Sequence, residues 1–390
     1  MRILFYSNAP WVSTGYGNPT RLFVQHLTNL GYEIAVACNY GLWGACIDSV
    51  ISDKPVRFYP GGHERSSNDV VQSHAEDFKA DLIVSLYDVW TLKFKKLATP
   101  WIPWTMVDHQ PVPPDVLAAL KGWPESQEPN PAAKLAVAPS LFGLRELEKA
   151  EFPARCIPLG IDTEVFKPGD KAEARKKLGL PEDKFIVGFM GANKSFPSRK
   201  CMPQAIQAFA KFHAKHPNSM LYVHTEESGL AHGMDIRPLI KSLGLGPDAL
   251  ILCDQYEYLR GFPDEYMVDM YNAMDVLLHP SMAEGFGIPI IEAEACGTPV
   301  IAVDSTSMPE LVSGGWIITD HEPYWSPQKA WQVMPHIHAM VEALEDAYYA
   351  LQRPSIKAMK STQAREKALE YDFGKVVAPM WDELLKGLEL

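Results

Sequence analysis

Short apolar runs alternate with helix-like segments along the whole sequence, and this alternation restricts the fold more than any other feature. Runs of four to six residues between helical segments are typical of buried parallel strands in βαβ units. In the first half they occupy residues 3–7, 33–38, 81–86, 103–107 and 135–138. A second series occupies residues 185–190, 220–224, 249–253, 276–279 and 300–303. The pattern predicts an α/β fold with two doubly wound, Rossmann-like domains.

The segments between these runs give the helices and the domain boundary. Residues 19–30 predict a first helix, with Asn18 as its N-cap, and residues 202–215 and 264–273 have helical periodicity. The chain has 390 residues, more than the roughly 250–300 at which single cores stop growing. A stretch rich in Gly, Pro and charge, 158–184, separates the two series. We therefore expect an N-terminal domain over 1–170 and a C-terminal domain over 171–390.

Charge and cysteine usage exclude several classes of protein. Lys and Arg number 36 against 48 Asp and Glu, a formal net charge of -12, which argues against a broad nucleic-acid-binding surface. We see no apolar run near the roughly 18–20 residues that span a bilayer, and no signal-peptide pattern at the start. The six cysteines are scattered without a C-x-x-C pair, which fits reduced thiols in the cytoplasm.

The segment 279–302, HPSMAEGFGIPIIEAEACGTPVIA, carries the strongest signal of a ligand site. A strand ends near His279, a loop holds Glu284 and Gly287, and a helix follows that contains Glu292. Glycines let a ligand approach the backbone, and the first turn of a helix presents unpaired N–H groups to an anion. The two carboxylates can accept hydrogen bonds from sugar hydroxyls. The alternative is a capped helix after a Gly-rich turn with no ligand.

A second segment, 191–201 (GANKSFPSRKC), follows the first strand of the second series. Ligands of open α/β sheets bind at the carboxyl ends of the strands, so this loop is placed to meet the same ligand. Arg199 and Lys200 can neutralise a diphosphate, Arg199 with bidentate geometry and Lys200 as a point charge. The alternative for each is a solvated surface charge.

Two segments of the first half are weaker candidates. In SNAPWVSTGYGN (7–18), Gly15 and Gly17 precede a helix, but Thr20 stands where a third glycine would complete a dinucleotide fingerprint. In TMVDHQPVPP (105–114), Asp108 and His109 follow a predicted strand. This pair can orient an acceptor hydroxyl or a donor sugar, and which of the two acts stays open.

Metal-ligand patterns are sparse. His336 and His338 form an H-x-H without nearby acidic partners at ligand spacing, and the sequence contains no Asp-x-Asp. We therefore expect no metal site.

The pattern E-G-F-G-I-P-x-x-E followed by A-x-A-C-G-T-P-V-I resembles the retaining glycosyltransferases of family 4. The resemblance implies the GT-B fold, in which two Rossmann-like domains face each other across a central cleft. It also implies nucleotide-sugar donors handled without a metal ion, and a C-terminal helix, about 373–390, that packs back on the first domain. It extends over the linker, the Arg199–Lys200 segment and, more loosely, the first Gly-rich loop.

The resemblance gives the second-half residues specific roles. Glu284 contacts the donor sugar, Glu292 holds the ribose, and Lys200 binds the donor. The backbone of the intervening loop meets the sugar and the diphosphate through Gly285, Phe286, Gly287 and Ile288.

The sequence departs from the family at one point. Relatives often carry an arginine after the glycine of the 185–190 strand, but this chain continues with Ala192, Asn193 and Lys194. Asn193 takes a donor-binding position, and the second cation stays open between Arg199 and Lys194. In the family, the loop that holds Gly15 and Gly17 lies under the diphosphate or beside the acceptor.

The sequence thus predicts a cytoplasmic, metal-independent, retaining glycosyltransferase. Its co-substrate is a UDP-, GDP- or ADP-linked sugar, it needs no further cofactor, and its acceptor is a hydroxyl compound that the sequence does not identify. One alternative is a nucleotide-sugar epimerase of the same architecture, and another is a non-catalytic sugar-nucleotide or glycan-binding protein. Nothing in the sequence supports membrane association.

Overall fold

The computed structural model describes residues 1–94, 97–122 and 133–388, so the last two residues of the predicted segment 373–390 lie outside it. The chain divides into two compact units. Unit 1 comprises the described residues of Met1–Asp162, Trp325–Trp331 and Tyr371–Leu390. Unit 2 comprises Thr163–Tyr324 and Gln332–Glu370.

Unit 1 is built on an eight-stranded sheet. Its strands are β1 (Arg2–Asn8), β2 (Glu33–Tyr40), β3 (Ile47–Ile51), β4 (Lys54–Tyr59), β5 (Leu82–Leu86), β6 (Trp101–Trp104), β7 (Ala136–Ala138) and β8 (Ala154–Cys156). Their spatial order is β3-β4-β2-β1-β5-β6-β7-β8. The described pairs are parallel except β3 with β4, which pair antiparallel at the edge. The predicted run of 103–107 is wrong at both ends: β6 begins at Trp101, where it pairs with β5, and it ends at Trp104, the one residue that pairs with β7.

Four helices of unit 1 connect these strands. They are α1 (Gly17–Asn29), α2 (Val71–Phe78), α3 (Pro114–Lys121) and α4 (Leu141–Lys149), with 3₁₀ turns at Arg65–Ser67 and Val89–Thr91. The N-cap of α1 is Tyr16, so the predicted cap at Asn18 is wrong. The Thr14 hydroxyl accepts a hydrogen bond from Gly17 N (2.9 Å) and Thr20 N bonds Tyr16 O (3.1 Å), which draws the first turn back by two residues.

Unit 2 contains a six-stranded, fully parallel sheet and a separate two-stranded ribbon. The sheet strands are β9 (Phe185–Met190), β10 (Ser219–His224), β11 (Leu250–Leu252), β12 (Val276–His279), β13 (Val300–Val303) and β14 (Trp316–Ile318), in the order β11-β10-β9-β12-β13-β14. β15 (His321–Trp325) and β16 (Trp331–Pro335) form the ribbon. Its tip, Trp325–Trp331, belongs to unit 1, where the backbones of Gln110 and Trp331 exchange two hydrogen bonds.

The helices of unit 2 cover its sheet. They are α5 (Lys171–Leu178), α6 (Met202–Lys215), α7 (Arg237–Ser242), α8 (Gln255–Arg260), α9 (Asp264–Ala273), α10 (Ile288–Ala295), α11 (Met308–Leu311), α12 (Ile337–Leu351) and α13 (Pro354–Leu369). One core cluster packs α6 and α12 against the strands through Phe209, Phe212, Met340 and Leu344. The predicted linker is partly helical, since α5 lies within it and its Arg175 bonds Asp275 at 2.8 Å.

The C-terminal segment returns to unit 1. A π-helical turn at Phe373–Val377 leads into α14 (Ala378–Lys386). Trp381 is fully buried there, with ring centroids 5.3 Å from Phe23 and 5.0 Å from Trp104. In the part of the chain that the structure describes, no helix is long and apolar enough to cross a membrane.

Candidate active site

The strand order of unit 2 fixes where a ligand can enter its sheet. From β9 the chain moves outward to β10 and β11, then returns to the other side of β9 with β12. β9 and β12 pair directly, with Leu277 beside Gly188, so the loops that leave their carboxyl ends lie side by side. This reversal of strand order is where open α/β sheets bind their ligands. The loops are 191–201 and 280–287, the two segments that the sequence analysis selected.

A cluster of charged side chains joins these two loops. Lys200 Nζ lies 2.5 Å from Glu284 Oε1, and Arg199 Nη1 lies 3.1 Å from Glu284 Oε2. Arg199 also donates to the carbonyl of Ala283, and the Met282 N–H donates to Arg199 O at 2.8 Å. The structure thus brings Glu284, Lys200 and Arg199 together, with Glu284 buried and Arg199 about one-third exposed.

Electrostatics keep the Glu284 carboxyl ionised. Burial alone would raise its pKa, but Arg199 and Lys200, with the hydrogen bond from His279, hold the pKa well below its usual range. His279 Nε2 lies 3.1 Å from Glu284 Oε1. Burial lowers the pKa of His279, so its imidazole is neutral at pH 7. Two cations and one carboxylate leave one positive charge in the cluster, which favours an anionic ligand.

Hydroxyl groups after β13 hold the 284–287 loop in place. The Thr306 hydroxyl accepts a hydrogen bond from Glu284 N at 2.9 Å. Ser307 Oγ donates to Glu284 O at 2.8 Å and lies 2.5 Å from Phe286 O. Phe286 is itself buried, so the loop is anchored by packing as well as by hydrogen bonds. A loop held in this way presents its backbone to a ligand with little reorganisation.

The helix α10 begins directly from this loop. Gly287 is its N-cap and has φ of +119°, a conformation that side chains disfavour. Gly285 precedes it, and Ile288 opens the first turn. One helical turn later, the buried Glu292 accepts a hydrogen bond from the Tyr271 hydroxyl at 2.8 Å. Burial, with the neighbouring Glu292 charge, raises the pKa of Tyr271, which keeps it a neutral donor.

Asn193 holds the loop rather than facing open space. Its Nδ2 donates to Glu226 O at 2.9 Å and to Met234 O at 2.7 Å, and its Oδ1 accepts from Met234 N at 3.1 Å. These bonds tie 191–201 to the 226–234 segment, and the donor contact predicted for Asn193 remains a prediction. Lys194 is exposed. Of the two candidate second cations, Arg199 is the one in contact with Glu284.

In unit 1 the first Gly-rich loop lies at the corresponding reversal, between β1 and β5. Tyr16 on this loop donates a hydrogen bond to Asp88 Oδ1, after β5, at 2.8 Å. A Cβ at Gly17 would lie 2.0 Å from the carbonyl oxygen of Val12, so only glycine fits there. A Cβ at Gly15 meets no described atom within 4 Å. Gly17 is thus explained by the backbone, while Gly15 leaves room for a ligand.

Asp108 and His109 form a pair in the loop after β6. His109 Nδ1 lies 2.7 Å from Asp108 Oδ1, with His109 buried and the Asp108 side chain 23% exposed. The carboxylate fixes the orientation of the ring, as a histidine that works on a substrate hydroxyl requires. Their predicted part in the site remains a prediction.

Sequence reasoning missed four residues that shape the unit 2 site: Tyr271, His279, Thr306 and Ser307. His279 is the last residue of β12, five residues before Glu284. A polar residue at the carboxyl end of a buried strand is a signal from which its place in the site could have been predicted. The other three flank the 279–302 segment, Tyr271 before it and Thr306 and Ser307 after it, but they match no ligand-binding pattern in the sequence.

The residues around the Glu284 cluster belong to a stretch that matches a known protein family. Residues 170–323 match the family model "Glycosyl transferases group 1", just under two fifths of the chain. The chain is 32% identical over 178 residues to the D-inositol 3-phosphate glycosyltransferase of Acidothermus cellulolyticus, covering 43% of the chain and 38% of that protein. The protein of the same name from Rhodococcus jostii is 36% identical over 160 residues, covering 40% of the chain and 33% of that protein. The alignments thus span less than half the length of these curated relatives.

Solved structures match over the whole chain. Sucrose-phosphate synthase from Thermosynechococcus elongatus superposes with a TM-score of 0.76 at 18% identity, covering 99% of this chain and 98% of that one. HepE from Anabaena, solved with UDP-glucose, gives a TM-score of 0.69 at 18% identity, covering 100% of both chains. These similarities confirm the predicted two-domain, Rossmann-like GT-B fold. The match of residues 170–323 to the family model favours the predicted glycosyltransferase class.

Proposed function

We propose that this chain is a retaining glycosyltransferase of family 4 that transfers a sugar from a nucleotide-diphosphate-sugar donor to a hydroxyl acceptor. The observation that carries the proposal is the Glu284–Lys200–Arg199 cluster. It lies at the strand-order reversal of unit 2 and within the segment that matches the group 1 glycosyl transferases. None of the six cysteines, all of which lie in described parts of the chain, is in a disulfide, which fits a cytoplasmic location.

The cations of the cluster serve the leaving group. As the glycosidic bond breaks, negative charge grows on the departing diphosphate. Lys200 and Arg199 stabilise that charge, together with the backbone N–H groups at the start of α10. The step that we propose needs no metal ion. We therefore expect EDTA to leave the transfer rate unchanged when the assay temperature is well below the melting temperature of the protein.

The carboxylates position the donor. Glu284 is ionised and held by three donors, and its remaining lone pairs accept hydrogen bonds from sugar hydroxyls. Glu292, oriented by Tyr271, accepts from the ribose hydroxyls. HepE has been solved with UDP-glucose, so UDP-glucose is the first donor to try, with GDP- and ADP-linked sugars beside it.

The reaction takes place on one face of the sugar. The bond from the anomeric carbon to the β-phosphate oxygen breaks, and the acceptor oxygen bonds that carbon on the same face. The acceptor proton passes to the leaving diphosphate, so the configuration is retained and a nucleoside diphosphate is released. We propose that Asp108 and His109 orient a substrate hydroxyl. We propose that Gly15, which has no side chain, lets a ligand approach the backbone closely.

The experiment is a transfer assay with a panel of UDP-, GDP- and ADP-sugars and hydroxyl acceptors, followed by NMR of the product. We expect a retained anomeric configuration. Lys200→Met should lower kcat by about 10²–10³-fold, the loss seen when one transition-state donor is removed. Lys211→Met, an exposed lysine on α6, is the matched control and should leave the rate unchanged. An inverted product would overturn the mechanism, and donor turnover without any acceptor would favour an epimerase.

A further inference from the structure

The two ends of the β15–β16 ribbon meet at a group of three side chains. Asp320 directly precedes β15. His336 directly follows β16 as the N-cap of α12, and His338 lies in the first turn of that helix. The backbone closes the junction, since His336 N donates to Asp320 O at 3.3 Å. The H-x-H pair therefore does have an acidic partner, which is 16 residues away in sequence and adjacent in the fold.

The geometry of the three side chains is that of a convergent donor set. His336 Nδ1 lies 2.9 Å from Asp320 Oδ1, and His338 Nε2 lies 2.6 Å from Asp320 Oδ2. One nitrogen from each ring and one carboxylate oxygen lie within 4.8 Å of one another. The two rings stack with centroids 5.4 Å apart and planes 16° from parallel. Each imidazole therefore turns one nitrogen toward the Asp320 carboxylate, His336 toward Oδ1 and His338 toward Oδ2.

Two imidazole nitrogens and a carboxylate oxygen are ligands that zinc and similar divalent transition metals accept. Bonds of about 2.0–2.1 Å in tetrahedral geometry put neighbouring ligand atoms about 3.3 Å apart. The two nitrogen–oxygen contacts would open from 2.9 and 2.6 Å to that spacing, by about 0.4 and 0.7 Å. The side chains of Asp320 and His338 are more than half exposed, so an ion can enter and water can complete its coordination.

A second carboxylate lies near the other ring nitrogen of His336. Glu322 Oε2 lies 4.0 Å from His336 Nε2, while Nδ1 faces Asp320. At 4.0 Å the two groups form no hydrogen bond, but the negative charge of Glu322 favours the proton on Nε2 and so leaves the Nδ1 lone pair for a metal.

We propose that Asp320, His336 and His338 bind one divalent transition-metal ion of the zinc type, with Glu322 as a positioning residue. The ion ties the start of β15 to the end of β16 and so fastens the base of the ribbon. The ligand set shares no residue with the Glu284 cluster, so the proposal stands or fails independently of the proposed function.

The test is isothermal titration calorimetry of Zn²⁺ into the full chain after EDTA treatment and removal of the chelator. We expect one ion per chain, and a melting temperature that rises with Zn²⁺ by mass action. Asp320→Asn and His338→Ala should each weaken Zn²⁺ binding at least about tenfold. Glu322→Gln should weaken it by less, about twofold, because this carboxylate is exposed and lies 4.0 Å from His336. His63→Ala, an exposed histidine of unit 1, is the matched control and should bind Zn²⁺ as the wild type does.

All the ligands are at least one-third exposed, so the variants should fold, which circular dichroism without metal checks. Absence of Zn²⁺ binding by the wild type would overturn the proposal. So would equal Zn²⁺ affinity in the wild type, Asp320→Asn and His338→Ala. A loss in His63→Ala equal to that in His338→Ala would show scattered surface histidines instead of one site.

Discussion

Glu284 illustrates how a buried charge is kept at low cost in this protein. An isolated carboxylate at 5% exposure would be neutralised by its own desolvation, but Lys200, Arg199 and His279 surround it. Removing Glu284 would leave two neighbouring cations uncompensated, whereas removing one cation leaves the other beside Glu284. We therefore expect substitution of Glu284 to cost more stability than substitution of either cation.

Glu294 lies on the same helix as Glu292, and its pKa is shifted in the opposite direction to that of Glu284. It is fully buried, and its Oε1 accepts hydrogen bonds from Ser313 N at 2.9 Å and Gly314 N at 3.2 Å. Burial dominates and raises the pKa of Glu294 to about 8 from an ordinary value of 4.5. The carboxyl is therefore mostly protonated at pH 7.

This raised pKa predicts a pH dependence of the stability of unit 2. The folded state holds the proton more tightly than the unfolded state, so the contribution is full below pH 4.5 and is lost as pH rises through about 8. The free energy of unfolding of the wild type minus that of Glu294→Gln should fall by roughly 1.4 kcal/mol per pH unit across that window. Urea titrations at several pH values measure it. Glu366→Gln, exposed on α13, should show no such trend, and a flat difference for Glu294→Gln would contradict the prediction.

At the residue scale, the sequence predicts the charged members of the cluster but not their supports. Glu284, Lys200 and Arg199 occur in motifs whose loops leave neighbouring strands, so their meeting follows from topology. Thr306 and Ser307 act through a tertiary contact with that loop, and the sequence contains no local signal for it.

At the scale of the elements, the loop-to-helix junction at α10 is the most demanding part of the fold. Gly287 turns the chain from the loop into the helix with φ of +119°. A Cβ at that position would lie 3.1 Å from Ile290 Cδ1 and 3.2 Å from Leu311 Cδ1, so a side chain meets crowding as well as backbone strain. The first N–H groups of α10 have their positions because of this turn.

Gly287→Ala should therefore destabilise unit 2 by about 1–3 kcal/mol, the cost of a strained backbone position, and weaken donor binding. Gly246→Ala is the control, because its Cβ meets no described atom within 4 Å and its φ is outside the left-handed region. Chemical denaturation of both variants provides the measurement. Equal stability of the two variants would show that the turn tolerates a side chain.

The buried strands are the elements that sequence predicts best. β9, β12 and β13 begin and end where the apolar runs do, because strands buried on both faces read as continuous apolar sequence. The edge pair β3 and β4 was not predicted, since β3 is mostly exposed and has no such run. α5 was hidden because a charged, surface-lying helix resembles a linker in composition.

At the scale of the whole molecule, the net charge does not indicate the charge of the ligand that the candidate site favours. The chain carries a formal charge of -12, yet its candidate site is locally positive through Lys200 and Arg199. A few cations and a helix N-terminus decide the affinity for an anion, and the total charge only sets solubility and long-range repulsion.

The return of the C-terminus to unit 1 makes that unit depend on the last helix. Trp381→Ala should destabilise unit 1 by about 3–5 kcal/mol, because a fully buried indole against Phe23 and Trp104 leaves a large cavity. Trp43→Ala, with a side chain 62% exposed, should cost under about 1 kcal/mol. Thermal unfolding of both variants measures the difference, and similar melting temperatures would argue against the observed packing of α14.

The central claim is that the Glu284–Lys200–Arg199 cluster holds a nucleotide-sugar donor, and donor binding by calorimetry tests it most directly. UDP-glucose, with GDP- and ADP-glucose beside it, is titrated into the wild type, Lys200→Met and Lys211→Met. We expect one of these donors to bind the wild type and Lys211→Met with equal affinity, and to bind Lys200→Met at least about tenfold more weakly, as the loss of a charge-assisted contact requires. Failure of all three donors to bind, or undiminished binding by Lys200→Met, would contradict the claim.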